Sequence, residues 1–166
     1  MLELAVDIIR TAEVNIAEIA DLPQILGIKE QSHRLFAACR PDIYKESGIL
    51  YTDSYLLDFF HNICKQILTA KIAGRVVGYA FIEAVWVRLP MMTDRSYVYV
   101  HDMAVSGDFR KQGVATELLE HIEVYTRQIG ADRIELAVHL FCRDALALYG
   151  KLGFEARTIR MEKLVR

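Results

Sequence analysis

The junction between an apolar strand and an amphipathic helix constrains the fold of this chain most. The apolar run YVYVHDMAV covers residues 97–105 and predicts a strand that is buried on at least one face. Residues 113–129 carry apolar side chains at helical spacing and predict a helix. Arg110, Lys111 and Gly113 lie at the tight join between these two elements. The first turn of a helix has unpaired N–H groups at the positive end of the helix dipole, and a glycine there lets a bulky group approach the backbone. The sequence therefore predicts an anion site at this junction.

Along the whole chain the predicted strands and helices follow the order β-α-α-β-β-β-α-β-α-β, in which the junction supplies the fourth strand and the third helix. Because strands and helices do not alternate strictly, we expect a mixed α/β sheet with helices on its faces. Before the junction we predict a strand over 4–10 and a helix over 16–30, which Asn15 caps and Pro23 bends or divides. A loop or short helix over 31–52 follows, and then a helix over 54–64 capped by Thr52 or Asp53. A hairpin with strands over 67–73 and 76–87 turns at Gly74 and Arg75. The elements predicted after it are a strand over 133–140, a helix over 142–152 and a last strand over 154–165.

Composition limits the class of protein. At 166 residues the chain is most simply one domain, spanning 1–166, and its 53% hydrophobic and 25% charged residues argue against disorder. A formal net charge of −2 argues against a nucleic-acid surface spread over the whole molecule. The N-terminus lacks the basic start of a signal peptide, and no run of about 18 apolar residues predicts a membrane span. Three scattered cysteines without a CxxC pair favour reduced thiols. We therefore expect a cytoplasmic protein that contacts neither membrane nor nucleic acid.

Metal-binding patterns are weak in this sequence. The five histidines form neither HxxxH nor HExxH, and His139 with Cys142 would supply only two ligands. A zinc site needs three or four ligands, so we predict no metal.

The loop at the junction has a recognisable pattern. It reads Arg110-x-x-Gly113-x-Ala115, directly after a strand and before a long helix. It lacks the Lys-Ser/Thr pair of a Walker loop, and the chain has no GxGxxG dinucleotide fingerprint. The pattern resembles the R/Q-x-x-G-x-G/A loop of the GNAT superfamily of acetyl-CoA-dependent N-acetyltransferases, in which the loop holds the pyrophosphate of coenzyme A.

A second element supports this resemblance. The stretch ALALYGKLGF is similar to the family's A-x-x-x-Y-x-x-x-GF element, with Ala145, Tyr149, Gly153 and Phe154 in place. The resemblance implies a GNAT-type α/β fold. Its sheet would be mixed and mostly antiparallel, with about six to seven strands splayed between the fourth and fifth, and about four helices would flank it.

The resemblance also implies a binding site for acetyl-CoA as co-substrate. The family often has Asn at the position of Cys142, where it bonds the cofactor arm or the parted strands, and Cys is a weaker donor and acceptor. The cofactor-binding residues expected by this resemblance are Met103, Ala104, Val105, Arg110, Lys111, Gln112, Gly113, Val114, Ala115, Thr116 and Cys142.

Acetyl transfer to an amine calls for an acid and a base. Tyr149 is the expected acid for the leaving thiolate, and the alternative is a tyrosine that only packs a helix against the sheet. Asp102, Glu83 and His101 are the candidate bases in that order, although each could have a structural role and a water chain could replace them. Since His101 and Asp102 are neighbours on a strand, we expect their side chains on opposite faces.

The acceptor site is expected to involve residues 31–52 and the loop from Trp86 to Arg95. Its candidate residues are His33, Arg40, Tyr44, Trp86 and His101, and a local Arg40–Asp42 clasp is the structural alternative within this set. The predicted function is transfer of an acetyl group from acetyl-CoA to a primary amine by direct attack in a ternary complex. The acceptor would be a small-molecule or peptide amine, and the resemblance also allows a homodimer. The alternative hypothesis is a catalytically weak acyl-CoA-binding sensor or interaction module of the same fold.

Overall fold

A five-stranded mixed sheet forms the centre of the fold in the computed structural model, which describes residues 11–165. Its strands lie in sequence order and are β1 Glu13–Ile16, β2 Lys65–Ile72, β3 Arg75–Val87, β4 Arg95–Val105 and β5 Ile134–Leu136. The first three pairings are antiparallel, and β4 pairs with β5 in parallel. The four α-helices of the described residues are α1 Leu22–Cys39, α2 Asp53–His61, α3 Val114–Gln128 and α4 Arg143–Lys151.

The predicted hairpin is confirmed with a small shift of its turn. β2 and β3 are joined by Ala73 and Gly74, whose φ values are 49° and 77°. Two central residues with positive φ match the right-handed twist of the flanking strands, which explains the tight connection. Arg75, expected in the turn, is the first residue of β3.

The helix predicted over 16–30 begins later and ends later than expected. Asn15 lies in β1 opposite Thr69 and caps no helix, because the backbone of residues 13–16 pairs with β2. Pro23 lies in the first turn of α1, where its missing N–H would have no partner anyway, so it starts the helix and does not kink it. α1 then continues to Cys39, into the segment predicted as irregular, and stops just before Pro41.

Two apolar clusters lie on opposite faces of the sheet. One contains Leu118 and Ile122 of α3 with the buried side chains of one sheet face, and both helix residues are fully buried. The other packs Ile25 and Ile28 of α1 and Phe59 of α2 on the opposite face. Thr52 caps α2 by accepting a hydrogen bond from the Tyr55 N–H at 3.2 Å, as one of the two predicted caps.

The strand count differs from the prediction. The expected strand over 4–10 lies outside the described residues. The strand predicted over 133–140 is reduced to Ile134–Leu136, and residues 154–165 form no strand. Phe154 packs against the apolar cluster that contains Leu118, whereas Ile159 and Met161 are 80% and 89% exposed and do not pack on the sheet. The five strands of residues 11–165 thus do not confirm six to seven.

Candidate active site

A β-bulge in β4 places two polar side chains on the same face of the sheet. Phe81 of β3 pairs with Asp102 and Ile82 pairs with Val100, so His101 is the additional residue. The ring of His101 lies 5.5 Å from that of Phe59, on the face covered by α1 and α2. Asp102 faces the same side, where it contacts Lys29 of α1. The expectation of opposite faces was wrong because the bulge interrupts the alternation of the strand.

Asp102 is the centre of a polar cluster. Its Oδ2 accepts hydrogen bonds from Lys29 Nζ at 2.7 Å, from the Tyr79 hydroxyl at 3.2 Å and from the Tyr51 hydroxyl. The side chains of Lys29 and Asp102 are only 15% and 16% exposed. Burial, and then the neighbouring Tyr79 and Asp102, raises the pKa of Tyr51 far above its ordinary value, and burial followed by Asp102 does the same for the pKa of Tyr79. Both hydroxyls therefore remain protonated and donate to the carboxylate.

Glu83 and His101 form a second polar pair on this face. His101 Nε2 lies 2.7 Å from Glu83 Oε2, and both side chains are 28% exposed. Lys65 Nζ lies 3.9 Å from the same Glu83 oxygen. When Nε2 carries a proton, it donates to Glu83, and Nδ1 is then the nitrogen that can accept a proton.

β4 and β5 part beyond the bulge. Within residues 11–165 their pairing covers three positions, from Val98–Ile134 to Val100–Leu136. Met103, Ala104 and Val105 continue β4 beyond this pairing, and on their other side Ala104 pairs with Tyr79 of β3. The β5 side of this part of β4 therefore offers backbone groups to a bound molecule.

The loop after β4 has the backbone of an anion site. Gly113 has a φ of 89°, and a Cβ built on it would have no heavy atom within 4 Å. The first helical bond of α3 runs from Glu117 N–H to the Gly113 carbonyl at 3.0 Å. Within the described chain, the N–H groups of Val114, Ala115 and Thr116 have no backbone acceptor. These three N–H groups and the open space at Gly113 fit the pyrophosphate of coenzyme A.

The polar side chains of the loop bond to other groups of the protein. Arg110 Nε donates to the Val105 carbonyl at 3.2 Å, and Gln112 Nε2 donates to the Asp108 carbonyl at 2.8 Å. Lys111 has a φ of 60°, and its Nζ lies 3.6 Å from Asp144 in the first turn of α4. Arg110 and Gln112 thus shape the loop, while its N–H groups remain available.

Tyr149 lies on α4, with its ring 5.4 Å from that of Phe154. Burial, and then the nearby Cys142 and Asp102, raises the pKa of Tyr149 to about 12. The side chain of Tyr149 packs against the apolar cluster that contains Leu118 and Ile122 of α3. Cys142 precedes α4, and burial raises the pKa of its thiol as well.

The predicted acceptor residues do not form one group. Tyr44 hydroxyl lies 2.6 Å from His139 Nε2, and His33 Nε2 lies 2.7 Å from the Lys45 carbonyl. Arg40 makes two hydrogen bonds to Asp42, as in the structural alternative, and also pairs with Glu162.

Trp86 lies away from the Asp102 cluster along the sheet. It pairs with Ser96 near the end of β3, whereas Phe81 pairs with Asp102. Five strand residues separate the two positions, which corresponds to about 17 Å. Trp86 is 52% exposed there, so the structure does not bring it to the Asp102 face.

A comparison with protein families identifies the chain. The family model described as acetyltransferase (GNAT) family matches residues 30–154, which include the bulge, the loop and Tyr149. The chain belongs to the GNAT family.

Curated GNAT relatives are similar over part of the chain. The L-amino acid N-acetyltransferase AaaT of Escherichia coli is 35% identical over 53% of this chain and 52% of its own length. An uncharacterized N-acetyltransferase of Methanocaldococcus jannaschii is 27% identical over 54% of this chain and 38% of its own. The N-alpha-acetyltransferase of Saccharolobus solfataricus is 28% identical over 68% of this chain and 72% of its own. This chain therefore spans about half or less of the length of the first two relatives.

Solved structures confirm the GNAT fold. A mutant form of the BH1408 protein from Bacillus halodurans has a TM-score of 0.88 at 24% identity, covering 93% of this chain and 99% of that one. The aminoglycoside N-acetyltransferase AAC(6')-Iy in complex with coenzyme A has a TM-score of 0.67 at 15% identity, covering 92% of this chain and 100% of that one. At these identities the likeness concerns the fold alone.

Sequence reasoning missed several residues of this GNAT site. Lys29 lies on α1, and Tyr51 lies just before α2. Each bonds Asp102, which is 51 or more residues away along the chain. No motif marks them, and only the tertiary packing brings them to β4. The sequence pattern marks His139 only as a metal-ligand candidate, yet it bonds Tyr44 and its ring stacks on Phe141 at 4.9 Å.

The described residues hold neither a cluster of metal ligands nor a membrane-spanning helix. No group of three or more His, Cys, Asp or Glu in residues 11–165 could hold a metal ion. None of the helices in the same residues has the length and apolar character needed to cross a membrane.

Proposed function

We propose that this GNAT protein transfers an acetyl group from acetyl-CoA to a primary amine by direct attack in a ternary complex. The observation that carries the proposal is the parting of β4 and β5 beyond Val100, next to the unpaired N–H groups of the first turn of α3. A cleft in a sheet beside a helix N-terminus suits an elongated substrate with a pyrophosphate. The fold neighbour AAC(6')-Iy in complex with coenzyme A supports the same assignment.

The backbone of this chain is proposed to hold the co-substrate. The N–H groups of Val114, Ala115 and Thr116 would bind the pyrophosphate, and the strand Met103–Val105 would pair with the pantetheine arm. An N–H group of that strand would stabilise the oxyanion that forms during transfer. This role needs no particular side chain, which agrees with the apolar character of these three residues.

Tyr149 is proposed as the acid. Burial raises its pKa to about 12, so the hydroxyl keeps its proton at neutral pH and can give it to the departing thiolate. In the transfer step the amine gives up a proton to a base, its nitrogen forms a bond to the acetyl carbon, and the carbon–sulfur bond breaks. The departing thiolate takes the proton of Tyr149, which regains one from solvent after the thiol leaves.

We assign the base to His101, with Glu83 as its partner. The Oδ2 of Asp102 already accepts from three donors, one of them an ammonium group. His101 lies on the same face because of the bulge, is partly open to solvent, and is oriented by Glu83 at 2.7 Å. Asp102 would then hold α1, β3 and the segment before α2 around the site.

The acceptor class is a primary amine. The relatives include an L-amino acid N-acetyltransferase, a thialysine N-epsilon-acetyltransferase from Mus musculus and a [ribosomal protein bS18]-alanine N-acetyltransferase from Salmonella typhimurium. These names cover small-molecule and protein amines, and both belong in the search for the acceptor.

Two measurements test the proposal. Isothermal titration calorimetry with acetyl-CoA should show saturable binding, and a thiol-release assay over amino acids, polyamines, aminoglycosides and peptide N-termini should show turnover with at least one amine. A Gly113→Val variant should lose binding, because Val is strained at a φ of 89° and would fill the space above the turn. Gly130→Val, at another positive φ of 72° after α3, is the matched control for strain.

The outcomes separate the alternatives. Absence of heat from well-folded protein would contradict acetyl-CoA binding altogether. Binding without turnover on any amine would favour the acyl-CoA-binding module over the enzyme.

A further inference from the structure

A cavity of about 210 Å³ lies between α1, the start of β3 and the end of β4. β3 borders β4 on one side and β5 borders it on the other, so this cavity is separate from the opening between β4 and β5. Arg75 and Val76 of β3 line it together with Ser106, the residue that follows β4. It is independent of the proposed acetyl transfer.

Two glutamines of α1 present donors to this cavity. Gln24 Oε1 accepts from the Val76 N–H at 3.0 Å, and Gln31 Oε1 accepts from the Gly107 N–H at 3.0 Å. They are seven residues apart, which places them on the same face of a helix. Because a backbone N–H can only donate, each amide must turn its oxygen toward the strand ends. Within residues 11–165 the NH₂ group of neither glutamine has a hydrogen-bond partner, so both can donate to a ligand.

The other polar groups of the cavity are also donors. The Arg75 guanidinium lies 5.6 Å from the centre of the Phe109 ring, which fixes it beside the cavity. Ser106 is 4% exposed and adds a hydroxyl. Arg75 carries the only charge among the seven described residues that line the cavity, and none of the seven is acidic.

The floor of the cavity is apolar. Ile28 and Val76 line it and are 4% and 3% exposed. A volume of 210 Å³ corresponds to about seven waters at roughly 30 Å³ each. This is room for a carboxylate with a short hydrocarbon body.

We propose that this cavity is a binding site for a small aliphatic monocarboxylate. The carboxylate binds Arg75 and the NH₂ groups of Gln24 and Gln31, and its apolar body rests on Ile28 and Val76. Arg pairs with a carboxylate through two parallel N–H donors, which favours this anion over a spherical one.

Butyrate is the probe for this site, and uncharged butyramide of the same shape is its control. Titration into ¹⁵N-labelled full-length protein should give saturable shifts of the Val76 and Gly107 amide signals with a millimolar Kd. Butyramide and inorganic phosphate should not reproduce these shifts at equal concentration.

Gln24→Glu is the decisive variant. A glutamate can still accept from the Val76 N–H, so the contact between α1 and β3 remains, but the donor group becomes an anion that repels the ligand. Butyrate affinity should fall at least about tenfold, because charged hydrogen bonds of this kind are strong. Arg75→Gln should weaken binding by a similar factor.

Arg34→Gln is the control, since Arg34 lies on α1, is 71% exposed and pairs with Glu30 away from the cavity. It should leave butyrate binding unchanged, and the melting temperatures of all three variants should show that they fold. Absence of saturable shifts, equal affinity in Gln24→Glu, or equal shifts with butyramide or inorganic phosphate would overturn the assignment.

Discussion

At the scale of single residues, the additional residue His101 in β4 decides which groups share the site. Without the bulge, Asp102 and His101 would lie on opposite faces, and only one could meet an acceptor. With it, the Glu83–His101 pair and the Asp102 cluster face the same side of the sheet. The two groups can be separated by mutation because each has its own hydrogen-bond partners.

Substitution of His101 and Asp102 should have different effects. His101→Gln should lower kcat by about 100-fold or more, which is the contribution of a positioned base. Asp102→Asn should change kcat less than about tenfold and should lower the melting temperature, since the ammonium of Lys29 loses its partner. Steady-state kinetics on the amine found in the panel provide the test. A folded Asp102→Asn variant without turnover, together with an active His101→Gln variant, would assign the base to Asp102.

Removal of the Tyr149 hydroxyl should slow the release of the thiolate. Tyr149→Phe should reduce kcat by about 100-fold while the Kd of acetyl-CoA stays the same. Because burial raises the pKa of Tyr149 to about 12, the acid stays protonated as pH rises. Deprotonation of Tyr149 should therefore not reduce the wild-type rate at any pH up to about 10. Tyr125→Phe on α3 is the control. A Tyr149→Phe kcat within twofold of wild type would leave Tyr149 as a packing residue.

At the scale of elements, the contact between β3 and α3 depends on a residue without a side chain. A Cβ on Gly78 would lie 3.0 Å from Val114 Cγ1 and 3.3 Å from the Ala104 carbonyl oxygen. Gly27 in α1 is the opposite case, since a Cβ there has no heavy atom within 4 Å.

Substitution of alanine for these two glycines should therefore change the free energy of unfolding in opposite directions. Gly78→Ala should lower the free energy of unfolding by about 1–3 kcal/mol through overpacking and should weaken acetyl-CoA binding, because Val114 begins α3. Gly27→Ala should raise it by about 0.5–1 kcal/mol, as expected within a helix. Urea unfolding of both variants measures the difference. Equal effects of the two would show that α3 does not press on Gly78.

Asp21 links α1 to β2 and should make stability depend on pH. Its Oδ1 lies 2.8 Å from Lys71 Nζ, and its Oδ2 accepts from the Glu18 N–H at 3.0 Å. Burial acts to raise the pKa of Asp21, but the hydrogen bonds from Lys71 and Glu18 outweigh it, so the pKa lies below its usual value. A lowered folded pKa gives stability that is present above the unfolded pKa of about 3.9 and is lost as pH falls through the folded pKa.

Asp21→Asn should thus lower the free energy of unfolding by about 2 kcal/mol at neutral pH, as for a hydrogen bond to a charged group. The difference from wild type should shrink below about pH 4 and disappear once Asp21 is protonated. Glu30→Gln, which removes an exposed pair with Arg34, should change stability by less than about 1 kcal/mol at either pH. A difference for Asp21→Asn that does not vary with pH would contradict the linkage.

Periodicity predicted those elements whose pattern is local. The hairpin of β2 and β3, α3 with its glycine turn, and α4 follow from apolar spacing and from Gly74 and Gly113. β1 could not be predicted, because Glu13–Ile16 becomes a strand only by pairing with residues 68–71. The bulge at His101 was missed for a related reason, since it depends on the register between β3 and β4. The loop motif marked the helix N-terminus that we propose as the cofactor site, whereas Lys29 and Tyr51 reach Asp102 only through tertiary packing.

At the scale of the whole molecule, each of the two apolar clusters supports a different part of the candidate site. The cluster under α3 supports the loop of Gly113, and the cluster under α1 and α2 supports the Asp102 face. β3 and β4 lie between the two clusters and contribute side chains to both faces. The cavity that we propose as a monocarboxylate site lies at the start of β3 and the end of β4.

The parallel pairing between β4 and β5 consists of three residue pairs and is the shortest pairing in the sheet. Eight register pairs join β2 to β3, but only Val98, Tyr99 and Val100 join β4 to β5. The C-terminal third is thus attached by few backbone bonds, and local opening there costs less than global unfolding. Hydrogen exchange should deuterate the amides of Ile134–Leu136 well before those of residues 67–70. Saturating coenzyme A should slow the exchange in Ile134–Leu136, because a molecule bound in the opening would contact both β4 and β5. The ligand itself would then stabilise the weakest pairing of the sheet.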